Sequence, residues 1–425
     1  MLNSEKLNRV AIIGSNRIPF ARSNSAYAEL HNQQMLTAAL NGLVSKYKLE
    51  GKLLGEVAAG AVLKYSSDFN LVRESVLDTK LHPGTPAVDL QQACGTGLEA
   101  AIYIGNKIAL GQIEVGIAGG VDTTSQAPLM LNERLRRTLM RVNRAKTNGD
   151  KFKELLKVNL IDLFKPNIPS NGEPRTKMSM GQHGQVMAKV YGVSREEQDQ
   201  LAFESHQKMA KAKQEGFFDD LITPFNGLDF DNNFRANTSL EKLATLKPVF
   251  GKNGNMTAGN STPLTDGASC VLLASEDWAK ANGYEILAYL KTGEVASTEF
   301  VSAKENLLAS PVLAVSRMIK KAGLKLQDFD YYEIHEAFAA QTLATLKVWE
   351  SPEFSKKFGI EPLGSIDRTK LNVKGSSLAA GHPFAATGGR ILGVAAKLLN
   401  QKGSGKILIS ICAAGGQGVT AIVEK

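Results

Sequence analysis

Short apolar runs that alternate with helical segments constrain the fold of this chain more than any other feature. A helical segment lies near residues 35–47, and helical spacing of Ala and Ile continues to residue 108 after the run at 85–90. The strand-like runs are 10–14 (VAIIG), 55–63 (GEVAAGAVL), 115–125 (VGIAGGVDTTS), 268–275 (ASCVLLAS) and the start of 331–344 (YYEIHEAFAAQTLA). Such alternation is typical of an α/β fold with a central sheet.

The middle of the chain, about residues 126–256, has a different character. It is more charged and more helical than either flank, and Ser194 with Glu197 three residues later forms a capping-box pattern that predicts a helix start. The alternation returns from residue 257, and residues 406–424 predict two strands joined by a Gly-rich turn. The sequence therefore predicts two α/β parts around a helical middle segment.

A weak internal repeat links the two α/β parts. CGTGLEAAIYIGNKIALG followed by VGIAGG is similar to GHPFAATGGRILGVAAKLL followed by ILISICAAGG. Each copy has a reactive residue, a helix start rich in small residues, an apolar helix and a strand that ends in Gly-Gly. A duplicated fold would place Cys94 and His382 at equivalent helix N-termini beside the seam between the two parts.

Cys94 is the strongest candidate nucleophile. It stands directly before the helix that follows residues 85–90, where free N–H groups and the helix dipole favour a negative charge. We therefore expect a lowered thiol pKa at Cys94, since the thiolate is the reactive form. Gly95 and Gly97 are expected to leave room for a bulky acyl group. The alternative for Cys94 taken alone is a buried structural cysteine.

Three further reactive residues stand at corners rich in Gly and Ala. His335 lies in EIHEAFAAQ, His382 lies between Gly381 and Pro383, and Cys412 precedes AAGGQG. Each has an ordinary structural alternative, but together with Cys94 they make four of the nine His and Cys residues at such corners, where catalytic groups tend to lie. No C-x-x-C or H-x-x-x-H spacing indicates a metal site. A G-x-S-x-G elbow, a P-loop and a G-x-G-x-x-G fingerprint are also missing.

Composition narrows the setting of the protein. Three Cys suggest a reducing compartment, and no apolar run reaches the roughly 18 residues of a membrane-spanning helix. The polar start leads straight into a strand-like run, which is unlike a signal peptide, so we expect a cytoplasmic protein. The net charge of +8 could indicate nucleic acid, but residues 131–165 alone carry ten Lys/Arg and four Asp/Glu. The basic signal therefore belongs to one segment, and no nucleic-acid partner is expected.

Residues 131–165 form this basic insert, which is predicted to be a helical hairpin. Leu131, Leu135, Leu139 and Val142 recur at helical spacing, TNGD (147–150) is a predicted turn, and Phe152, Leu155, Leu156 and Leu163 recur likewise. A basic amphipathic pair can lie on an anionic membrane, dock on a partner subunit, cover the active site and steer an anionic substrate, or form a solvated face.

Taken together, these segments resemble the thiolase family over essentially the whole chain. The similar segments are DLQQACGTGLEA (89–100), HEAFA (335–339), GHPFAATGGR (381–390), CAAGGQG (412–418), MTAGNSTPLTDGA (256–268) and RIPFARS (17–23). Most thiolases have Asn where this chain has His335. The His form and the Cys412-Ala413-Ala414 sequence resemble the β subunit of the fatty-acid oxidation complex, the trifunctional type.

The resemblance implies a fold and an organisation. We expect the α/β thiolase fold, in which two similar βαβαβαββ halves stack as five layers (αβαβα) with an inserted loop domain. Residues 1–125 would form the N-terminal half, completed by about 257–277. Residues 126–256 would form the loop domain with the basic insert, and residues 278–425 the C-terminal half.

The resemblance also implies the site residues. Cys94 would attack the 3-keto carbon of a 3-oxoacyl-CoA, His382 would take the thiol proton, and Cys412 would protonate the acetyl-CoA enolate. His335, with a water, and His382 would bind the thioester oxygen. The backbone N–H groups of Cys94 and Ala414 would bind the tetrahedral intermediate, and Cys412 or His382 would then activate CoA. By resemblance, the pantetheine arm would lie near Met178, Met180, Ser261 and Thr262, although core packing is an equal alternative for the two Met residues.

The implied activity is that of a degradative 3-ketoacyl-CoA thiolase of fatty-acid β-oxidation, with CoA as substrate and no metal or other cofactor. The nearest alternative is a short-chain acetoacetyl-CoA thiolase, against which the HEAFA segment and the basic insert argue. Cys412 argues against a ketoacyl synthase, and the filled reactive positions argue against a non-catalytic scaffold. Implied partners are a second copy in a homodimer or dimer of dimers, a hydratase/dehydrogenase α subunit, and a membrane surface at 131–165.

Overall fold

The computed structural model describes residues 7–170 and 172–425. Residues 1–6, on which the expectation of no leader partly rests, lie outside this part. The strands are β1 (Val10–Arg17), β2 (Ala21–Arg22), β3 (Glu56–Ala59), β4 (Ala87–Asp89), β5 (Val115–Asp122), β6 (Thr265–Ser275), β7 (Ala288–Ser297), β8 (Tyr331–Ile334), β9 (Lys406–Ala413) and β10 (Gln417–Glu424). The α-helices are α1 (Asn32–Lys46), α2 (Leu71–Leu77), α3 (Thr96–Ala109), α4 (Glu133–Arg144), α5 (Asn148–Leu155), α6 (Met180–Val190), α7 (Arg195–Gln214), α8 (Leu240–Ala244), α9 (Glu276–Ala281), α10 (Ser310–Ala322), α11 (Ala339–Glu350), α12 (Pro352–Lys357), α13 (Ser377–Ala380) and α14 (Thr387–Lys402).

The predicted alternation of strands and helices is confirmed. Each predicted apolar run contains a strand, and the predicted hairpin is β9 and β10, which pair from Ala413 opposite Gln417 to Lys406 opposite Glu424. The capping box is also confirmed, because Ser194 accepts from the backbone N–H of Glu197 at the start of α7, and Glu197 accepts from that of Ser194.

The strands follow the order β4-β3-β5-β6-β1-β7-β10-β9-β8, with β2 paired to β6. The seam is the antiparallel pairing of β1 with β7, where Val10 lies opposite Leu290. With β2 set aside, because it lies off this path, both sides have the same order counted outward from the seam: the first strand, the last, the next to last, and then the second. The two sides are therefore wound alike, as the predicted fold requires.

The C-terminal side differs from the predicted βαβαβαββ pattern at one strand. The equivalent of β4 is reduced to a single bridge between Tyr332 and Leu371. The next residue, Asn372, has a φ of 45°, and its side-chain amide bonds both the N–H and the C=O of Ile334 at 2.9 Å. The strand ends there because a side chain takes over the hydrogen bonds of the ladder.

Three apolar cores hold the five layers together, and the middle core surrounds the central helix layer. The middle core packs α3 and α14 between the sheet faces that carry Ile12 and Ile409. Alternate residues of the same strands, such as Ile13 and Leu408, face away, because successive side chains of a strand point to opposite faces. Ile13 packs in a core with α1 and α2, and Leu408 packs in one with α10 and α11. The predicted αβαβα layering is confirmed.

Glycines bring the N-termini of the two central helices into direct contact. A Cβ on Gly388 would lie 2.1 Å from the backbone nitrogen of Leu98, and one on Gly97 would lie 2.6 Å from the carbonyl oxygen of Ala385. A Cβ on Gly95 would lie 2.5 Å from Val419. Gly95 and Gly97 therefore allow close packing, and the expectation that they leave room for an acyl group is wrong. Their packing brings the segments of Cys94 and His382 together.

The basic insert is a helical hairpin built from α4 and α5, followed by a short 3-10 turn at Leu160–Phe164. The predicted turn at 147–150 is instead a helix start, because Thr147 caps the backbone N–H of Asp150. Much of the apolar side of the hairpin is open to solvent, with Leu156 70% and Phe164 84% exposed. Within the described residues, no helix is long and apolar enough to cross a membrane.

Candidate active site

Cys94 lies two residues before α3, in a backbone that holds it tightly. The preceding Ala93 has a φ of 46°, an unfavourable conformation for a residue with a Cβ. Thr96 stabilises this corner, since its hydroxyl donates to the carbonyl of Ala93 at 2.7 Å and accepts from the N–H of Gln92 at 2.8 Å. The nucleophile candidate therefore stands on a strained, well-anchored turn.

The second thiol, Cys412, lies near the end of β9 and is buried. The charge of a Cys94 thiolate raises the pKa of Cys412 further above the level that burial sets, so the two sulfurs are electrostatically coupled. The hairpin turn after β9 brings the backbone N–H of Ala414 to the sulfur of Cys94. The structure therefore brings Cys94, Cys412 and Ala414 together.

The expected lowering of the Cys94 pKa is wrong for the free protein. Burial raises the pKa of this thiol to about 12, and hydrogen bonds from the backbone of Ala414 and of Cys94 itself offset only part of that rise. Desolvation outweighs the helix N-terminus because a charged sulfur loses more from leaving water than two N–H groups return. Cys94 is therefore a thiol that needs a base at the moment of attack.

Two histidine rings lie close together, tilted by 49° to each other. The ring centroids of His335 and His382 are 4.1 Å apart, and both side chains are buried. The Nε2 atom of each ring has no hydrogen-bond partner within the described residues. Burial lowers the pKa of His382 to about 3 and that of His335 well below its usual value. Two neutral imidazoles with unpaired Nε2 atoms are thus available to one ligand.

The opposite ring nitrogens anchor both histidines to hydroxyl groups. Nδ1 of His335 lies 2.7 Å from Ser377 Oγ, and Nδ1 of His382 lies 2.5 Å from Thr387 Oγ1. The backbone N–H of His382 also donates to Thr265 Oγ1 at 2.8 Å. His382 lies five residues before α14, in the corner between α13 and α14, slightly earlier than the helix start that the sequence indicated.

Buried carboxylates hold the segments that carry these groups. Asp122 at the end of β5 accepts from the backbone N–H of Leu63 and, at 2.8 Å, from that of Ala385. Burial raises the pKa of Asp122 to about 7. Glu336, next to His335, accepts from Asn372 at 2.7 Å and from Ser205 at 2.8 Å, and burial raises its pKa.

Sequence reasoning missed these supporting residues. Ser377 and Thr387 lie within or beside the GHPFAATGGR segment, and Asp122 follows the Gly-Gly of a buried strand, so their positions offered a weak signal. Asn372 offered none, because its role depends on a left-handed backbone conformation.

The four residues expected near a pantetheine arm divide into two groups. Ser261 pairs with Phe338 of the HEAFA segment, and its buried hydroxyl has no hydrogen-bond partner among residues 7–170 and 172–425. Thr262 lies beside it, but its hydroxyl donates to the carbonyl of Ala337 at 3.0 Å. Met180 begins α6 and packs at the edge of the core that contains α10 and α11, while Met178 is half-buried before that helix. Ser261 is the member of this set with a free polar group.

The remaining histidines of the middle segment have structural roles. Nε2 of His183 lies 2.7 Å from Thr176 Oγ1, and its Nδ1 lies 2.7 Å from the carbonyl of Lys304. His206 accepts from the N–H of Arg235 at 3.2 Å. Across residues 7–170 and 172–425, no group of three or more His, Cys, Asp and Glu could hold a metal ion.

The geometry defines a class of chemistry. One thiol on an anchored turn, a second thiol coupled to it, two neutral imidazoles and the inward-pointing N–H of Ala414 can form and break a thioester on Cys94. These groups define a cysteine-dependent acyl-transfer enzyme.

Sequence comparison identifies the family. The profile described as "Thiolase, N-terminal domain" matches residues 10–277, and "Thiolase, C-terminal domain" matches residues 285–425. A 3-ketoacyl-CoA thiolase of Shewanella denitrificans is 39% identical over 98% of this chain and 97% of its own length. The chain belongs to the thiolase family and is an acyltransferase.

Solved structures agree with this assignment. The Bacillus anthracis acetyl-CoA acetyltransferase matches with a TM-score of 0.82 and 28% identity, covering 99% of this chain and 100% of its own. The human mitochondrial 3-ketoacyl-CoA thiolase in complex with CoA matches with a TM-score of 0.81 and 28% identity, covering 98% of both chains.

The pKa of Cys94 predicts how its alkylation depends on pH. With a pKa near 12, the thiolate fraction is small and rises about tenfold per pH unit from pH 7 to pH 9. The rate of iodoacetamide labelling, followed by mass spectrometry of the Cys94 peptide, should therefore rise with the same slope. A rate that levels off below pH 8 would show that a thiolate is already formed and would contradict this account.

Proposed function

We propose that this protein is a 3-ketoacyl-CoA thiolase that cleaves 3-oxoacyl-CoA with CoA to acetyl-CoA and a shortened acyl-CoA. The observations that carry the proposal are two coupled thiols, Cys94 and Cys412, and two adjacent imidazoles, His335 and His382, on segments whose helix N-termini pack against each other. The 3-ketoacyl-CoA thiolase names of the full-length relatives and the CoA complex among the similar structures support the substrate.

In the first half-reaction, Cys94 loses its proton to Nε2 of His382, and its sulfur bonds to the 3-keto carbon. The negative charge moves to the former carbonyl oxygen, within reach of N–H donors at Cys94 and Ala414. Collapse of this intermediate breaks the bond between C2 and C3, and the electron pair forms the acetyl-CoA enolate. Cys412 then gives its proton to C2, so acetyl-CoA leaves and Cys94 remains acylated.

In the second half-reaction, the Cys412 thiolate takes the thiol proton of CoA. The CoA sulfur bonds to the acyl carbon, and collapse breaks the bond to Cys94. His382 returns its proton to the Cys94 sulfur, which restores both thiols. The neutral state of His382 suits this cycle, since a protonated imidazole could not accept the first proton.

His335 is proposed to stabilise the enolate. This charge develops on the thioester oxygen of the acetyl-CoA part. Nε2 of His335 is buried beside His382 and has no hydrogen-bond partner within the described residues. For the CoA arm, the free hydroxyl of Ser261 next to the HEAFA segment is the best candidate contact, with Thr262, Met178 and Met180 as neighbours of lower specificity.

Cleavage of 3-oxoacyl-CoA with four and with sixteen carbons, measured with the purified chain and CoA, tests the proposed function. We expect CoA-dependent thiolysis at sixteen carbons, with or without activity at four. Activity at four carbons alone would move the assignment to an acetoacetyl-CoA thiolase. Activity at neither length would contradict the proposal for the chain alone, and Cys94 acylation would then separate a missing subunit from a different function.

The basic insert is proposed to contact an anionic membrane surface. Its apolar side chains are exposed, with Phe152 at 62% and Ile161 at 56%. Several of its basic residues pair internally, such as Arg134 with Asp162 at 2.5 Å, which ties α4 to the 3-10 turn. Five others form no ion pair within the described residues: Arg144, Lys146, Lys151, Lys153 and Lys165. Unpaired positive charge beside exposed apolar side chains suits an anionic interface.

Sedimentation with vesicles tests this surface. The wild-type chain should bind vesicles that contain phosphatidylglycerol and not vesicles of phosphatidylcholine alone. Lys151→Glu with Lys153→Glu should weaken binding about tenfold or more, since each basic residue near such a surface contributes about 1 kcal/mol. The matched control is Lys252→Glu with Lys320→Glu, two exposed lysines outside the insert. Equal binding by the two double variants, or no binding by the wild type, would contradict the membrane role.

Assembly is the last part of the proposal. We propose a homodimer or a dimer of dimers, and the insert is the place where a hydratase/dehydrogenase subunit would compete with a membrane. Light scattering during size exclusion measures the first point, and a monomer at micromolar concentration would contradict it.

A further inference from the structure

The two adjacent histidines differ in the groups that contact their Nδ1 atoms. Nδ1 of His335 contacts the hydroxyl of Ser377, and the same hydroxyl contacts Arg390. The three side chains therefore form a hydrogen-bonded chain. Nδ1 of His382 contacts Thr387, which has no other side-chain hydrogen bond within the described residues. The difference decides which nitrogen of each neutral ring, Nδ1 or Nε2, carries the proton.

Arg390 sets the direction of its hydrogen bond with the Ser377 hydroxyl. Its Nη2 lies 2.8 Å from Ser377 Oγ and 3.3 Å from Ser376 Oγ, and the side chain is buried. Burial lowers the pKa of Arg390 to about 10, so the guanidinium is still charged at neutral pH. A guanidinium only donates, and Ser377 Oγ is therefore an acceptor in this bond.

The hydroxyl proton of Ser377 then has one place to go. Within the described residues, the only further partner of Ser377 Oγ is Nδ1 of His335 at 2.7 Å. A buried hydroxyl proton without an acceptor is costly, so the hydroxyl donates to Nδ1 and the proton of the neutral ring sits on Nε2. That Nε2–H group is buried and has no partner in the part of the chain that the structure describes.

His382 is not constrained in the same way. No cation donates to the Thr387 hydroxyl within the described residues, so this hydroxyl can donate to a bare Nδ1 or accept from an Nδ1–H group, the second at the cost of leaving its own proton unpaired. The ring can therefore leave Nε2 bare to accept the Cys94 proton and carry that proton afterwards. The ring of His335, whose centroid lies 4.1 Å from that of His382, remains a hydrogen-bond donor through its Nε2–H group.

We propose that Arg390 and Ser377 are positioning residues that hold His335 in its Nε2–H tautomer, so that His335 only donates while His382 alone exchanges protons. The catalytic part of this inference rests on the proposed thiolase reaction. The tautomer itself does not, because it follows from the hydrogen bonds of the free protein.

Selective ¹⁵N-histidine labelling and NMR at neutral pH test the tautomer directly. The signal of His335 is assigned by its loss in His335→Asn. We expect Nε2–H at His335 in the wild type and in Ser376→Ala, whose side chain contacts Arg390 but not the ring. Ser377→Ala should give a mixture with Nδ1–H. A wild-type His335 with Nδ1–H would overturn the proposal without any variant, as would an unchanged tautomer in Ser377→Ala.

Kinetics test the consequence. Ser377→Ala should lower kcat about 10- to 100-fold, below the roughly 10²- to 10³-fold cost of losing a whole oxyanion donor, with KM within about threefold. Ser376→Ala should stay within about twofold of the wild type in kcat. An unchanged kcat in Ser377→Ala with a shifted tautomer would overturn the catalytic part. A wild type with the predicted tautomer but no thiolysis would instead count against the proposed function.

Discussion

Cys94→Ala is expected to abolish thiolysis, with kcat at least about 10⁵-fold lower than in the wild type. Removing the nucleophile from a covalent mechanism removes both half-reactions, because no other described thiol occupies the anchored turn before α3. The measurement is CoA-dependent loss of 3-oxoacyl-CoA, together with the mass of the intact protein after incubation with substrate.

Cys270→Ala is the matched control for this prediction. Cys270 is fully buried in β6 and its sulfur contacts the backbone carbonyls of Asn16 and Ala39, away from both histidines. Its loss should leave kcat within a few-fold of the wild type. Wild-type activity in Cys94→Ala would remove the basis of the whole assignment, whereas equal losses in both variants would indicate a general effect of cysteine removal.

Cys412→Ser is expected to separate the two half-reactions. Cleavage of the carbon–carbon bond should slow about 10²- to 10⁴-fold, the range for loss of a general acid, because a hydroxyl is a poorer proton donor to the enolate than a thiol. Acylation of Cys94 by a simple acyl-CoA should remain largely intact, since its leaving group is a thiolate, a far weaker base than an enolate.

Two assays on the same variant measure this separation. Thiolysis of 3-oxoacyl-CoA reports cleavage, and intact-protein mass after incubation with acyl-CoA reports acylation of Cys94. Parallel losses in both assays would contradict the role of Cys412 as the acid for the carbon centre. Cys270→Ser, which makes the same change in the core, should affect neither assay by more than a few-fold.

Much of the architecture was predictable because buried strands and helices each require a characteristic spacing of apolar residues in the sequence. The apolar runs of β1, β5 and β6 alternate between two cores, and the small residues before α3 and α14 anticipated two helix N-termini in contact. The near-absence of the third strand on the C-terminal side was not predictable. It arises because a single side chain, that of Asn372, forms the hydrogen bonds that a strand ladder would form.

The site was predictable in its reactive residues and not in their electrostatics. Cys94 precedes a helix as predicted, but the pKa of its thiol depends on burial by distant segments, and that burial reversed the expected shift. The supporting contacts join residues far apart in sequence, such as Asp122 with Ala385 and His335 with Ser377. Such pairs arise from tertiary packing, which local spacing does not encode.

The most direct measurement of the central claim is the identity of the covalent intermediate. The wild-type protein is mixed with 3-oxohexadecanoyl-CoA without added CoA, quenched in acid and digested, and the modified peptide is identified by mass spectrometry. The account predicts a tetradecanoyl group on Cys94 and one equivalent of acetyl-CoA released. An unmodified Cys94 with acetyl-CoA released, or an acyl group on Cys412 instead, would contradict it.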